Sequence, residues 1–181
     1  MIASTVAVEL LRESPELLAV VAVAARLARA WQTSLSWPEY RIFHRIKRVL
    51  FPRIHRLAPG RILLVSEKGG RNDAEFIQTV DASVRVVVGI LRDAGGSLHL
   101  LNSLKRRPDE HGDPLTAAHV LWTHDDGTQT EAYLFKNADE STDLYAHHET
   151  SIDDPLGHLT DEQRDGDTRN TLPIELLDPP Q

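Results

Sequence analysis

The chain has 181 residues, of which 41% are hydrophobic and 26% charged, with 10 glycines, 10 prolines and no cysteine. This length suits one domain with a sizeable core, and the composition excludes collagen-like, fully disordered and membrane-embedded classes. The absence of cysteine excludes disulfides, thiolate zinc sites and a cysteine nucleophile. Because no apolar run is long enough to span a bilayer and no leader pattern opens the chain, we expect a cytoplasmic or virion protein without membrane contact.

The formal charge of -7 is unevenly distributed along the chain. Residues 1–108 carry 17 basic and 9 acidic side chains, whereas residues 109–181 carry 3 basic and 18 acidic ones. This asymmetry indicates an anionic partner for the first half, or contact between the two halves within one fold or between copies in an oligomer.

The first 58 residues are predicted to be helical. Apolar residues recur at helical spacing over residues 4–13 and 15–33. A third helix is predicted over residues 39–51, and Pro52 is expected to end it. The apolar stripe of this third helix consists of Ile42, Phe43, Ile46, Val49 and Leu50.

The middle of the chain predicts one β-α-β unit. A short apolar run over residues 61–67 indicates a strand. Helical periodicity follows over residues 74–93, with a Gly-Gly stop, and residues 97–104 indicate a second strand. The unit therefore spans residues 61–104.

Alternating strands follow over residues 119–124, 130–136 and 142–148. Asp126-Gly127 between the first two strands is a hairpin signal, and residues 137–141 connect the second and third. We predict a three-stranded antiparallel meander within residues 118–149.

Together these elements predict an α+β fold, in which N-terminal helices pack on a mixed sheet made of the β-α-β unit and the meander. The alternative fold keeps the meander as a separate small sheet. Residues 1–150 form the predicted domain, and residues 151–181 form an extended acidic C-terminal arm. The apolar residues that could anchor this arm to a neighbour are Leu172, Ile174, Leu176 and Leu177.

Residues 41–61 form a basic segment without any acidic residue. Such a segment can bind nucleic acid or an acidic partner. The alternative is a solvated face, or pairing with the acidic half of the chain. The cations are Arg41, Arg45, Lys47, Arg48, Arg53, Arg56 and Arg61.

A second candidate site lies between the predicted strand and helix of the β-α-β unit. Backbone N–H groups at a helix N-terminus attract anions, and glycines let a ligand approach closely. Ordinary capping by Asn72 or Asp73 explains the same pattern. The candidate residues are Lys68, Gly69, Gly70 and Arg71.

A third candidate site lies on the meander. With a two-residue hairpin loop, Trp122 pairs with Glu131, and Glu131 pairs with His147 across the second loop. Period-2 alternation then places His124, Glu131 and His147 on one face, where they could bind a metal or act as an acid-base pair. The alternative is an amphipathic packing face with polar ends.

The segment LLRESPELLAVV (Leu10–Val21) resembles the helical opening of tail-completion and connector proteins of tailed viruses. This resemblance covers 12 residues and implies a ring-forming component of a viral particle. The chain offers charged surfaces of opposite sign and a C-terminal arm rather than a convergent catalytic site. We therefore expect a non-catalytic binding or assembly protein without a cofactor, which forms oligomers with itself or another protein through complementary basic and acidic surfaces. The alternatives are nucleic-acid binding through residues 41–61 and, third, a small metal- or phosphate-binding enzyme.

Overall fold

The computed structural model describes residues 15–57, 65–67, 75–100, 102, 104–107, 112–151, 153 and 168–177. Helices and an antiparallel sheet confirm the predicted α+β class. In these ranges the helices are α1 (Pro15–Thr33), α2 (Trp37–Leu57) and α3 (Val84–Asp93). The strands are β1 (Val65–Glu67), β2 (Glu75–Val80), β3 (Ser97–Leu98), β4 (Leu104–Arg106), β5 (Ala118–Thr123), β6 (Thr128–Lys136) and β7 (Thr142–Thr150). Two 3-10 turns follow, Thr168–Thr171 and Ile174–Leu176.

Some predictions concern residues outside these ranges. The helix predicted over residues 4–13 is one of them, and Arg61 of the basic segment is another. The candidate anion site, Lys68, Gly69, Gly70 and Arg71, also lies outside the described residues.

Helix α1 has the predicted bounds, whereas α2 is longer than predicted. The N–H and the hydroxyl of Ser36 both donate to Glu39 Oε2, at 2.9 and 2.6 Å, and this capping box starts α2. The prediction that Pro52 ends α2 is wrong. Proline removes one main-chain hydrogen bond, but the helix continues to Leu57, and Arg56 Nε donates to the Pro52 carbonyl at 3.3 Å. Among the described helices, none has the length and apolar character needed to cross a bilayer.

The main sheet of the described residues has the strand order β2-β7-β6-β5-β3, and all neighbouring strands are antiparallel. Strands β5, β6 and β7 form the predicted meander. Because β2 and β3 extend it at both edges, the meander is not the separate small sheet of the alternative fold. Strands β1 and β4 form a two-stranded parallel pair apart from it.

The predicted β-α-β unit over residues 61–104 is wrong in two respects. Its helix begins only after Ser83, because the preceding residues form β2 and pair with β7. Three β-branched residues, Ile77, Thr79 and Val80, favour this extended conformation. The second predicted strand is split, since β3 pairs with β5 whereas β4 pairs with β1.

One face of the main sheet packs against α3 and the C-terminal turns. Val87, Val88 and Leu91 of α3 are buried there, and each contributes about 1.5–3 kcal/mol by leaving water. Leu172 and Leu177 belong to the same core. The sequence suggested that these two leucines anchor a neighbour, but they pack on their own chain.

Helix α2 turns a polar side towards the sheet and leaves its apolar stripe exposed. Its buried residues are Tyr40, His44 and Lys47. Exposed apolar residues of α1 adjoin the stripe, since the Trp31 and Phe43 rings meet edge-on with centroids 5.8 Å apart. We call this combined surface the outer face. It consists of Val20, Val23, Leu27, Trp31, Ile42, Phe43, Ile46, Val49, Leu50, Ile54 and Leu57.

Candidate metal centre

The hairpin between β5 and β6 determines which side chains share a face with Glu131. The loop has three residues, because Gly127 adopts a positive φ of 81° and His124 N–H donates to the Thr128 carbonyl at 2.9 Å. Glu131 therefore pairs with Leu121 rather than with Trp122 as predicted. A one-residue difference in register exchanges the two faces of β5.

This register divides the predicted set of His124, Glu131 and His147. Glu131 pairs with His147 as predicted. His124 lies on the opposite face, where its Nε2 is 2.8 Å from Thr130 Oγ1 and its ring adjoins His148. His119, which pairs with Tyr133, lies on the same face as Glu131 instead of His124.

Glu131 is the centre of a buried cluster of polar side chains. Its own side chain is 7% exposed. The contacts to histidine nitrogens are all 3.4 Å long, from Oε1 to His99 Nδ1, and from Oε2 to Nε2 of both His119 and His147. The Tyr133 hydroxyl donates to Oε2. Strand β6 and the three segments that carry the histidines thus converge on the Glu131 carboxylate.

The cluster extends beyond Glu131 to a second carboxylate. Glu149 Oε1 lies 3.4 Å from His147 Nε2. The side-chain amide of Gln129 donates to Oε1 of Glu149 at 2.8 Å and to Oε1 of Glu131 at 3.3 Å. The amide therefore connects the two carboxylates and holds them on one side of the sheet.

The histidine nitrogens of this cluster are buried without hydrogen bonds. This is true of His99 Nδ1 and of both ring nitrogens of His119 and His147, whose contacts to carboxylate oxygens lack hydrogen-bond geometry. A buried polar atom without a partner costs about 1–3 kcal/mol. Three of these nitrogens, one on each ring, face Glu131 at 3.4 Å, and a bound cation would supply their partner.

The ionisation states suit a cation site. Burial lowers the pKa of His119 to about 3, and the charge of Glu131 opposes this shift. Burial pushes the pKa of Glu131 upward, but His119, His99 and His147 outweigh it and hold the pKa well below its usual range. Burial, and then the charge of Glu131, raise the pKa of Tyr133, which stays a protonated donor. Neutral imidazole and ionised carboxylate are the forms that bind metal.

The inner side of α2 closes the cluster. The Tyr40 hydroxyl accepts the His119 backbone N–H at 2.9 Å. Lys47 Nζ donates to the Leu100 carbonyl at 2.8 Å and to Asn102 Oδ1 at 2.7 Å, so α2 is tied to the segment that carries His99. Burial lowers the pKa of Lys47 to about 7, and Glu131 opposes this shift.

The basic segment is divided by these contacts. Lys47 is buried, and Arg48 pairs with Asp113 of the acidic half. The cations that remain exposed on α2 are Arg41, Arg45, Arg53 and Arg56. Their contact with nucleic acid or an acidic partner stays a prediction.

Sequence reasoning missed His99, His119 and Glu149 as members of the cluster. The assumed two-residue loop placed His119 on the wrong face. A glycine at position 127 also suits the third position of a three-residue loop, where φ is positive, and this was the available signal. His99 had no local signal, because only the pairing of β3 with β5 brings it next to His119, with ring centroids 4.8 Å apart.

Comparison of the chain with protein-family models, with curated proteins and with solved structures gave no match in any of the three.

Proposed function

We propose that this protein binds a divalent transition-metal ion in the buried cluster around Glu131. The supporting observation is the set of buried, hydrogen-bond-free nitrogens on His99, His119 and His147 that surround an ionised carboxylate. Imidazole and carboxylate are the ligands that zinc and its neighbours take. This proposal revises the expectation of a protein without a cofactor.

The surroundings of the cluster support ligand positioning. Tyr133 donates to Glu131, and Gln129 donates to both Glu131 and Glu149. Outer contacts of this kind orient ligands, and their loss typically weakens metal binding about 10–100-fold. The chain would supply imidazole nitrogens and the carboxylate of Glu131 as ligands.

Metal binding is tested on the full chain after treatment with a chelator and desalting. We expect Co²⁺ to bind with visible absorption bands, and Zn²⁺ to compete for the same site. His119→Ala and Glu131→Gln should each weaken Co²⁺ binding at least tenfold, whereas His124→Ala should not. Wild-type protein that binds neither ion, or equal loss in His124→Ala and His119→Ala with unchanged far-UV circular dichroism, would overturn the proposal.

The outer face favours a second function, which is self-assembly. Its eleven large apolar side chains are 39–86% exposed. Four of them lie on α1 and seven on α2, and the Trp31 and Phe43 rings join the two groups. Exposed apolar surface that is rimmed by polar residues marks an interaction site.

We propose a second copy of this chain as the occupant of the outer face. The apolar side chains would form the centre of the contact, and the exposed Arg41, Arg45 and Arg56 of α2 would supply the polar rim that interfaces have. This proposal retains the assembly role predicted from the sequence. It differs in the contact, which has an apolar centre instead of paired basic and acidic surfaces. A ring-forming virion component is one form of this role.

Light scattering on a sizing column tests the assembly. Wild-type protein should elute as a discrete oligomer, and Ile46→Glu should be a monomer. Val86→Glu is the matched control, because Val86 on α3 is as exposed as Ile46 but lies outside the outer face. A wild-type monomer at tens of micromolar would refute the proposal. A monomer that carries nucleic-acid absorbance, removed by salt, would instead support the exposed arginines as a nucleic-acid contact.

A further inference from the structure

The donor atoms around Glu131 fall into two sets rather than one. His99, His119 and Glu131 form the first set, and Glu131, His147 and Glu149 form the second. Within each set the ligand atoms lie within 4.8 Å of one another. Only Glu131 belongs to both sets, and His119 and His147 are in different sets.

One ion is too small to collect both sets. Ligands of Zn²⁺ lie about 2.0–2.2 Å from the ion, so two ligands of one ion are at most about 4.4 Å apart. Each set needs only a small contraction to meet this limit. A single ion would have to draw all five residues within this limit, and no set among the described residues unites His119 with His147.

The carboxylate of Glu131 lies between the two sets, where its Oε2 also accepts the Tyr133 hydroxyl and its Oε1 the Gln129 amide. Its Oε2 is 3.4 Å from both His119 Nε2 and His147 Nε2, and so lies between the two sets. Its Oε1 faces His99 of the first set at the same distance. Glu149 supplies a separate carboxylate to the second set only, 3.4 Å from His147.

We infer that the cluster holds two divalent metal ions bridged by Glu131, one bound by His99 and His119 and the other by His147 and Glu149. This inference rests on the proposed metal binding and adds its stoichiometry and geometry. Two ions about 3.5–4 Å apart form a clamp that activates water and stabilises both oxygens of a displacement reaction.

Elemental analysis of the full chain, loaded with Mn²⁺ or Co²⁺ and desalted, tests the number of ions. We expect two ions per chain in the wild type and in the His124→Ala control. His99→Ala and Glu149→Gln should each retain one ion, and Glu131→Gln should lose the bridge and bind at least tenfold more weakly. The Mn²⁺-loaded wild type should give an exchange-coupled electron paramagnetic resonance spectrum, and the two one-ion variants an uncoupled one.

The outcomes separate the two proposals. No bound ion in the wild type refutes metal binding itself. One ion per chain, with an uncoupled spectrum, leaves metal binding standing and refutes the two-ion inference. Loss of all metal in both His99→Ala and Glu149→Gln, with unchanged circular dichroism, would also refute it, because a single ion would then depend on both sets.

Discussion

Arg107 is the most completely buried cation of the described residues, and its replacement by methionine should strongly destabilise the fold. Its guanidinium donates to Asp143 Oδ2 at 2.6 Å, to Asn137 Oδ1 at 2.7 Å, and to the carbonyls of Lys136 and Asp113 at 3.0 and 3.2 Å. It therefore joins the end of β4 to the turn between β6 and β7. Methionine keeps much of the volume but removes every one of these donors.

The expected loss follows from burial. The Arg107 side chain is fully buried and that of Asp143 is 11% exposed, so solvent screens the pair little. Removing one partner of a buried ion pair costs about 3–5 kcal/mol, because the other charge stays buried. For a chain of 150–250 residues this corresponds to a fall in Tm of about 6–20 °C, at 2–4 °C per kcal/mol.

Urea unfolding followed by circular dichroism measures this loss. The matched control is Lys136→Met, because the ion pair of Lys136 with Glu140 lies in the same turn but is 47% and 68% exposed. The control should lose less than about 1 kcal/mol. An Arg107→Met variant that loses no more than the control would refute the reasoning that burial, rather than ion pairing as such, determines the cost.

Three further predictions concern packing and metal. Gly96→Ala should lower the free energy of unfolding by about 1–3 kcal/mol, because its Cβ would lie 2.6 Å from Val120 Cγ1. Gly89→Ala in α3 is the control, because its Cβ would meet no atom within 4 Å. This variant should raise the free energy of unfolding by about 1 kcal/mol in the same urea assay. Zn²⁺ at a hundred times its Kd should stabilise the wild type by about 2.7 kcal/mol in thermal melts, and an equal gain in Glu131→Gln would contradict the site. In chelator, His119→Leu should lower the urea midpoint less than Arg107→Met does, because the contact of His119 with Glu131 is 3.4 Å long and lacks hydrogen-bond geometry, and an equal loss would contradict this reading of the contact.

The sequence predicted the meander well because its signals are local. Alternating residues and an Asp-Gly turn require only neighbours along the chain. The register of β5 against β6 depended on one more residue in the loop, which Gly127 permits through its positive φ. That single residue decided whether His119 or His124 joins Glu131.

The orientation of α2 could not be predicted from its periodicity. An apolar stripe ordinarily packs on a core, and the stripe of α2 was clear in the sequence. The helix instead presents Lys47 to Leu100 and Asn102, partners 53 and 55 residues further along the chain. Such distant hydrogen bonds leave no local signal, and the same is true of β2, whose pairing with β7 overrides a helical pattern.

If both proposals hold, the two sides of α2 would couple the contact with a second copy to the buried cluster. Its outer face is the proposed contact with a second copy, and its inner side holds His119 through Tyr40 and the His99 segment through Lys47. A shift of α2 when two copies associate would therefore displace His99 and His119, the histidines of the first set. By thermodynamic linkage, metal would then change the dimerisation constant by the same factor by which dimerisation changes metal affinity. Protein concentration would act as an effector of the buried site.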